Sequence, residues 1–184
     1  MSKNKDDKKD CIKEISSQLK ILQKVTKEVY SSYNLEKIFS HIADEAVKTM
    51  GYITAVILTY NDKKDFLEIK TLATKKGILS RLDKIIGYPL KDISVPIKPD
   101  LNETVKRVYD GQIVVAKSLS EVAYPVISKK LCSALQNLVK TKNYIVVPLD
   151  IEGDLAGAIF ISSSEKSISE NEMEMLRSFR HIVS

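Results

Sequence analysis

The side chains that could do chemistry are few and widely spaced. The chain has two cysteines, Cys11 and Cys132, and two histidines, His41 and His181. The two cysteines form neither a disulfide framework nor a zinc set. The two histidines lie at opposite ends with no acidic cluster beside either, so they offer no nucleophilic triad and no metal centre. We therefore expect no catalytic residues, no metal and no cofactor.

The charge of the chain is basic but dispersed. Its net charge is +5, and all of the excess lies between Lys63 and Arg107, where eleven Lys and Arg stand against six Asp and Glu. These charges form no Arg-rich run and have no interleaved aromatic residues, so we expect no nucleic-acid partner. The charged start MSKNKDDKKD predicts no signal peptide, and no apolar run approaches the ~20 residues that span a bilayer. We expect a cytoplasmic protein with no membrane contact.

The most informative stretch is NYIVVPLDIEGDLAGAIFIS, from Asn143 to Ser162. Two short apolar runs flank a polar turn, which predicts an antiparallel hairpin near the centre of a sheet. Pro148 lacks an N–H group and is expected at a strand end or a bulge. Gly157 indicates a close approach of backbone, ligand or a neighbouring element.

The chain before this hairpin divides into a tail, a lead-in helix and a domain. Residues 1–10 lack apolar side chains and are predicted to be a disordered tail. Residues 11–32 show apolar spacings near 3.5 and predict a signalling or dimerisation helix. Residues 34–184 form the domain. The predicted subunit seam of the lead-in helix contains Ile15, Leu19, Leu22 and Val29.

Local signals place the elements inside the domain. Asn34 begins a helix that ends at Gly51, and strands are predicted over 52–60 and 66–74. A helix over 78–86 ends at Gly87. In the irregular region 88–141 we expect an interrupted strand over 88–97, a helix from Asn102 to Tyr109, a strand over 112–116 and a helix that begins near Pro125. Its apolar face is Ile127, Leu131, Leu135 and Leu138.

The final helix has a clear start. Ser169 and Glu172 form a capping box, with a staple between Ile168 and Met173. Met175, Leu176 and Phe179 continue an apolar face, which we expect beside the subunit seam. The chain stops within this pattern without a Gly or Pro. Either the protein ends here or the helix continues past Ser184, and we expect the second.

This order of elements resembles the GAF family of small sensory domains. The resemblance covers about 35–183 and is most specific in IVVPLDIEGDLAGAIFIS followed by SISENEMEMLRSF. It implies an α+β, GAF/PAS-like fold. A central antiparallel sheet of five to six strands would carry the terminal helices on one face and short helices and loops on the other. The family's ligand cavity lies beneath that second layer.

The known chemistries of the family lack their residues here. The Asn-Lys…Phe…Asp-Glu pattern of cyclic-nucleotide binders has no match, and Cys132 is followed by Ser133 rather than by the His common at bilin sites. Haem would need an axial ligand, and both histidines are expected on helices away from the cavity. The free methionine sulfoxide reductases of this fold need clustered cysteines, whereas Cys132 is alone in the domain.

The resemblance leaves only weak candidates for a ligand site. Tyrosine joins apolar bulk to a polar tip and suits a small-molecule pocket, although each could equally pack the core with its hydroxyl at the surface. The candidates in or beside the cavity-lining segments are Tyr88, Lys98, Tyr109, Tyr124, Ser128, Cys132 and Tyr144.

The sequence thus predicts a sensory domain, part of a sensor histidine kinase or a related signalling protein. An unidentified small ligand would shift the packing between the sheet and the terminal helices of a homodimer. The first alternative is a ligand-free dimerisation or interaction module with a filled cavity. The second is a thiol enzyme such as a free methionine sulfoxide reductase.

Overall fold

An antiparallel sheet forms the centre of the computed structural model, which describes residues 35–61, 63, 65–96, 102–151, 154–165 and 167–179. The strands are β1 (Thr54–Tyr60), β2 (Phe66–Thr74), β3 (Ser94–Pro96), β4 (Val114–Ala116), β5 (Asn143–Ile151) and β6 (Asp154–Ser163). Their order across the sheet is β3-β2-β1-β6-β5-β4. The predicted hairpin, β5–β6, therefore lies in the middle of a six-stranded α+β fold, as expected.

Six helices within these ranges accompany the sheet. They are α1 (Leu35–Lys48), α2 (Ile78–Ile86), α3 (Glu103–Tyr109), α4 (Leu119–Ala123), α5 (Lys129–Val139) and α6 (Glu170–Phe179), with a 3₁₀ turn at Leu90–Asp92. All contacts described below lie within the compact unit Phe39–Ser184. None of the helices in the described ranges is long and apolar enough to cross a membrane.

Helix α1 packs on the sheet face that carries Ile57. The Ser40 hydroxyl lies 3.0 Å from the Thr71 hydroxyl. Thr71 pairs directly with Ile57 across β1 and β2, and paired residues point to the same side of a sheet. The apolar side of α1 is buried and consists of Phe39, Ile42, Ala43, Ala46 and Val47.

Helix α6 packs against β5. Its residue Leu176 is 0% exposed and belongs to the core, which corrects its predicted place beside an exposed subunit seam. The side chains of Met175 and Phe179 lie outside the described part of the chain, as do the predicted tail over 1–10 and the predicted helix over 11–32 with Ile15, Leu19, Leu22 and Val29. The dimer therefore stays a prediction.

Strand β6 lies so close to β1 that residue 157 must be glycine. A Cβ at Gly157 would meet the Leu58 carbonyl oxygen at 2.1 Å, well inside van der Waals contact. This confirms the predicted close backbone approach. Pro148, by contrast, is not at a strand end. It pairs with Ala158 inside β5, and the bulge follows between Leu149 and Asp150.

The sheet tolerates Pro148 because only one side of β5 is paired there. Strand β4 pairs with β5 from Tyr144 to Val146 and ends before the proline. A residue without an N–H group therefore costs no hydrogen bond to β4 at this position. The prediction was wrong because the length of the neighbouring strand, which a local pattern does not show, decides whether a proline fits.

The irregular middle of the chain forms the layer over the other sheet face. Gly87 ends α2 in the left-handed conformation at φ 90°, and the Asn102 side chain caps α3 by accepting from the Thr104 and Val105 amides, both as predicted. Pro125 does not begin a helix. It follows the short helix α4, which the pattern did not reveal, and α5 begins after Ser128, whose hydroxyl accepts from the Leu131 amide.

Candidate functional site

A cavity of about 210 Å³ lies between the sheet and the layer of short helices. The sheet floor comes from alternate residues of its central strands, since successive side chains of a strand point to opposite faces. Strand β1 contributes Thr54, Val56, Leu58 and Tyr60. No described residue of α1 or α6 lines the cavity, so the two helices stand apart from it.

The walls of the cavity are almost wholly aliphatic. Of the thirty lining residues, six carry a hydroxyl group and none carries a charge in the described chain. The covering layer supplies apolar side chains because each short helix turns one apolar side inward. These side chains include Leu82 and Ile86 from α2, Val105 and Val108 from α3, Leu119 and Val122 from α4, and Leu135 and Val139 from α5.

Two tyrosines stand at one end of the cavity. Tyr60 is the last residue of β1 and Tyr109 is the last residue of α3, and both line the cavity. Tyr109 is 52% exposed, so this end is open to solvent. Burial is the larger cause that raises the pKa of Tyr60, and the nearby Tyr109 is the smaller one. The two phenol groups are therefore close enough to interact electrostatically. With its raised pKa, Tyr60 is a neutral hydrogen-bonding group at physiological pH.

The opposite end of the floor carries a row of buried hydroxyl residues. Thr54, Ser162 and Tyr144 are direct neighbours across β1, β6 and β5. The Ser162 and Tyr144 hydroxyls are buried and make no hydrogen bond within the described chain. Buried polar groups without partners are uncommon and costly, which marks this end of the cavity as unusual.

Tyr144 is held firmly although its hydroxyl is unpaired within the described residues. Its ring contacts Phe160 at a centroid distance of 5.7 Å, and it packs in one apolar cluster with Cys132 and Leu135. Burial raises the pKa of Tyr144 to about 12, with the adjacent Thr141 side chain acting in the opposite direction. The Thr141 and Tyr144 hydroxyls are neighbours that do not reach hydrogen-bond geometry.

Side-chain hydrogen bonds join the covering helices. The Gln136 amide nitrogen donates to the carbonyl oxygens of Lys117 and Thr141 at 3.0 and 3.3 Å, and its oxygen accepts from the Leu119 amide at 3.1 Å. The Asn102 side chain donates to the Tyr124 carbonyl oxygen at 2.7 Å. Together these contacts tie α3, α4 and α5 into one layer.

Two of the seven predicted ligand residues, Tyr109 and Tyr144, line the cavity. Tyr88, Tyr124 and Ser128 lie outside it at the protein surface, and Lys98 lies outside the described residues. Cys132 is 1% exposed and packs behind Tyr144 without reaching the cavity. The Tyr124 ring instead lies 5.0 Å from the Lys129 ammonium nitrogen, a surface contact.

Several lining residues were missed. Tyr60, Thr54 and Ser162 all stand in strands that were predicted correctly, at alternating positions. Alternation alone could have grouped Tyr60 with Thr54 on one face. It could not have told which face carries the cavity, because that depends on where α1 packs.

The described residues of the site include no visible catalytic machinery. The part of the chain that the structure describes holds no group of three His, Cys, Asp or Glu side chains suited to a metal ion. Burial raises the pKa of the Cys132 thiol, which donates to the Ile127 carbonyl oxygen at 3.6 Å. His41 is exposed on α1, and His181 lies outside the described residues. A protonated, buried thiol is a poor nucleophile.

One carboxylate links the sheet to the final helix. The Tyr52 hydroxyl donates to Glu172 Oε1 at 2.9 Å, and the other Glu172 oxygen accepts from the Ser169 amide at 3.2 Å. Ser169 in turn accepts from the Glu172 amide, which confirms the predicted capping box. Burial and this carboxylate both raise the pKa of Tyr52. Tyr52 precedes β1 by two residues, so the start of α6 is tied to the strand that floors the cavity.

No protein-family model matches the sequence, and no curated protein matches it either.

Solved structures, by contrast, share its fold. A GAF domain/HD domain protein from Geobacter sulfurreducens superposes with a TM-score of 0.58 at 11% identity, covering 80% of this chain and 87% of its own. A domain from Sinorhizobium meliloti 1021, described as belonging to a two-component sensor histidine kinase protein, gives 0.52 at 11%, covering 80% and 86%. The type II free methionine-R-sulfoxide reductase from Thermoplasma acidophilum gives 0.51 at 15%, covering 82% and 92%. The chain has the fold of the GAF domains.

Proposed function

We propose that this chain is a sensory or regulatory domain that binds a small molecule in the cavity between the sheet and α2–α5. The observation that carries the proposal is the cavity itself, since about 210 Å³ is left unfilled between the sheet and its covering helices, whereas protein interiors are normally close-packed. The two buried hydroxyls without partners in the described chain at its inner end support it, because a ligand could supply the missing hydrogen bond. The GAF fold makes a sensory role a natural one.

The signal would pass from the cavity floor to the final helix. Strand β1 carries Val56 and Leu58 on the floor, and Tyr52 just before the strand holds Glu172 at the start of α6. A ligand that presses on β1 would shift this hydrogen bond and with it the cap of α6. A ligand shifts the equilibrium between two packing arrangements only if it binds one of them more tightly than the other.

The chain would act as the regulatory part of a sensor histidine kinase or a related signalling protein in the cytoplasm. The shared fold of the Sinorhizobium meliloti domain supports this setting. The helices at the two ends of the domain would pair in a homodimer and pass the change onward. Size-exclusion chromatography with light scattering tests the pairing, and a monomer at high micromolar concentration would contradict it.

Native mass spectrometry on protein purified without added ligand tests the ligand site. We expect a mass excess that disappears when the same sample is denatured. A clean protein mass would instead favour the alternative of an interaction module in which the helices are the functional surface. The control is a cavity-filling variant, Ala158→Leu, at a buried lining position, which should lose the excess mass while keeping a folded circular dichroism spectrum.

A thiol reductase is the third possibility, because the Thermoplasma acidophilum enzyme has the same fold. Burial and a raised pKa make Cys132 unreactive, which disfavours it. We expect no thiol-dependent reduction of free methionine sulfoxide. Activity that Cys132→Ser abolishes would overturn this expectation.

A further inference from the structure

The cavity selects against charged ligands. In the described lining every polar side chain is a hydroxyl, on Thr54, Tyr60, Thr104, Tyr109, Tyr144 and Ser162. An ionised ligand would leave water and find no opposite charge, a cost that even a well-made buried ion pair barely offsets. A molecule that fits these walls is therefore uncharged and mostly apolar.

The cavity extends both along β1 and across the sheet. Four inward-facing residues of β1 line it, from Thr54 to Tyr60, which spans about 20 Å at the usual rise of a strand. Across the sheet the lining runs from Val95 of β3 to Val146 of β5. Aliphatic side chains border the space in both directions, so it fits the apolar part of a ligand along either one.

The two ends of the cavity differ. The outer end opens between Tyr60 and the half-exposed Tyr109, whereas the inner end is closed around Thr54, Ser162 and Tyr144. The Ser162 and Tyr144 hydroxyls are beneath the cavity wall and have no hydrogen-bond partner among the described residues. A rotation of the Ser162 side chain would turn its hydroxyl toward a ligand without moving the backbone.

We propose that the ligand is an uncharged, mostly aliphatic molecule with one hydroxyl or carbonyl group, seated with that group beside Ser162 and Tyr144. This inference rests on the proposed function, because it names the chemistry of the molecule that the same cavity binds. The apolar part of the molecule lies against the aliphatic walls, toward the two outer tyrosines. After this rotation of its side chain, Ser162 donates to, or accepts from, the single polar group of the ligand.

Isothermal titration calorimetry with three eight-carbon probes tests the ligand class on the intact chain at pH 7.5. The probes are 1-octanol, sodium octanoate and octylammonium chloride. We expect 1-octanol to bind at least about tenfold more tightly than either charged probe, because their charges would be buried unpaired.

Two neighbouring serines supply a matched pair of variants. Ser162 lines the cavity, whereas Ser163 is equally buried but faces the other side and accepts from the Glu165 amide. Ser162→Ala should weaken 1-octanol binding roughly fivefold, the usual effect of one hydrogen bond. Ser163→Ala should leave it unchanged. Equal effects of the two variants would overturn the seating beside Ser162.

The probes separate failure of this inference from failure of the proposed function. If octanoate binds as well as 1-octanol, the uncharged class is wrong while the cavity remains a ligand site. If no probe binds and native mass spectrometry finds no retained molecule, both the inference and the proposed ligand site are overturned.

Discussion

The two faces of the sheet come from the same strands but are packed differently. Three side chains on the face toward α1 are at most 1% exposed, whereas an adjacent residue of the same strand, on the cavity face, is in each case only partly buried and borders the cavity. The closed face includes Ile57, Val147 and Ile159, and the cavity face includes Leu58, Val146 and Phe160. One face therefore holds the fold together, and the other leaves room for a ligand.

This difference separates stability from function along each strand. A tightly packed face resists any change of volume, because its side chains have nowhere to move. A partly filled face tolerates change and can be altered by whatever enters it. Substitutions at adjacent residues of one strand should therefore have very different consequences.

The largest expected effect comes from Gly157, whose backbone on β6 lies directly against the backbone of Leu58 on β1. In Gly157→Ala the new methyl group would overlap the Leu58 carbonyl oxygen, so β1 and β6 would have to separate. We expect a loss of about 3 kcal/mol or more in the free energy of unfolding, or failure to fold. Urea unfolding measures it. A variant within about 1 kcal/mol of the native protein would mean that the strands can move apart.

A matched pair of valines compares the faces directly. Val147→Ala on the closed face should cost about 2 kcal/mol, because lost burial and a new void add together. Val146→Ala on the cavity face should cost less than about 1 kcal/mol, since the removed atoms border space that is already open. The measurement is urea unfolding of both variants. Equal losses would contradict the contrast between the faces.

The link to α6 can be tested at Tyr52. Tyr52→Phe removes a buried hydrogen bond to a carboxylate and should cost about 1.5 kcal/mol. Glu172→Gln removes the charge, and the double variant should lose less than the sum of the two. Strict additivity in this double-mutant cycle would show that the two side chains are not coupled.

The smallest expected effect is a loss of folding stability at alkaline pH, which comes from Tyr144 on the cavity face. The pKa of Tyr144 is about 12 in the folded chain against 10.0 ordinarily, so the folded state holds this proton more tightly. Its stabilisation is complete below pH 10 and is lost as the pH rises toward 12. At pH 11 we expect a loss of about 1.4 kcal/mol from this group.

Tyr144→Phe isolates that contribution, because Tyr52, whose pKa is also raised, remains in the variant. Urea unfolding at pH 8 and pH 11 should show a smaller alkaline loss in Tyr144→Phe than in the native chain. At pH 8 the variant should be at least as stable, since it removes a buried hydroxyl that has no partner among the described residues. The same alkaline loss in both proteins would show that Tyr144 titrates normally.

Features that depend on neighbours in sequence were predictable. The glycine that ends α2, the asparagine that caps α3 and the Ser169–Glu172 box each act within one turn of backbone, so their residue types are sufficient signals. Gly157 was also predictable, because a glycine within an apolar strand usually marks a bulge or a place where another backbone comes close.

Features that depend on packing between distant segments were not. Whether Tyr60 or Tyr88 reaches the cavity is decided by how the covering helices settle on the sheet, and tyrosines suit both the surface and a pocket. Helix α4 has only five residues, too few to show a periodic pattern. Pro148 was misjudged because the end of β4 lies about thirty residues earlier in the chain.

The hydrogen bonds of Gln136 and Asn102 also bear on how a molecule could enter. Helices of seven, five and eleven residues would be marginal on their own, so α3, α4 and α5 depend on one another through these two side chains. Such a group opens and closes as one cooperative unit. Amide protons across all three helices should therefore exchange with solvent at a common rate, faster than those of β1 and β6, and that opening rate would set how quickly the cavity fills and empties.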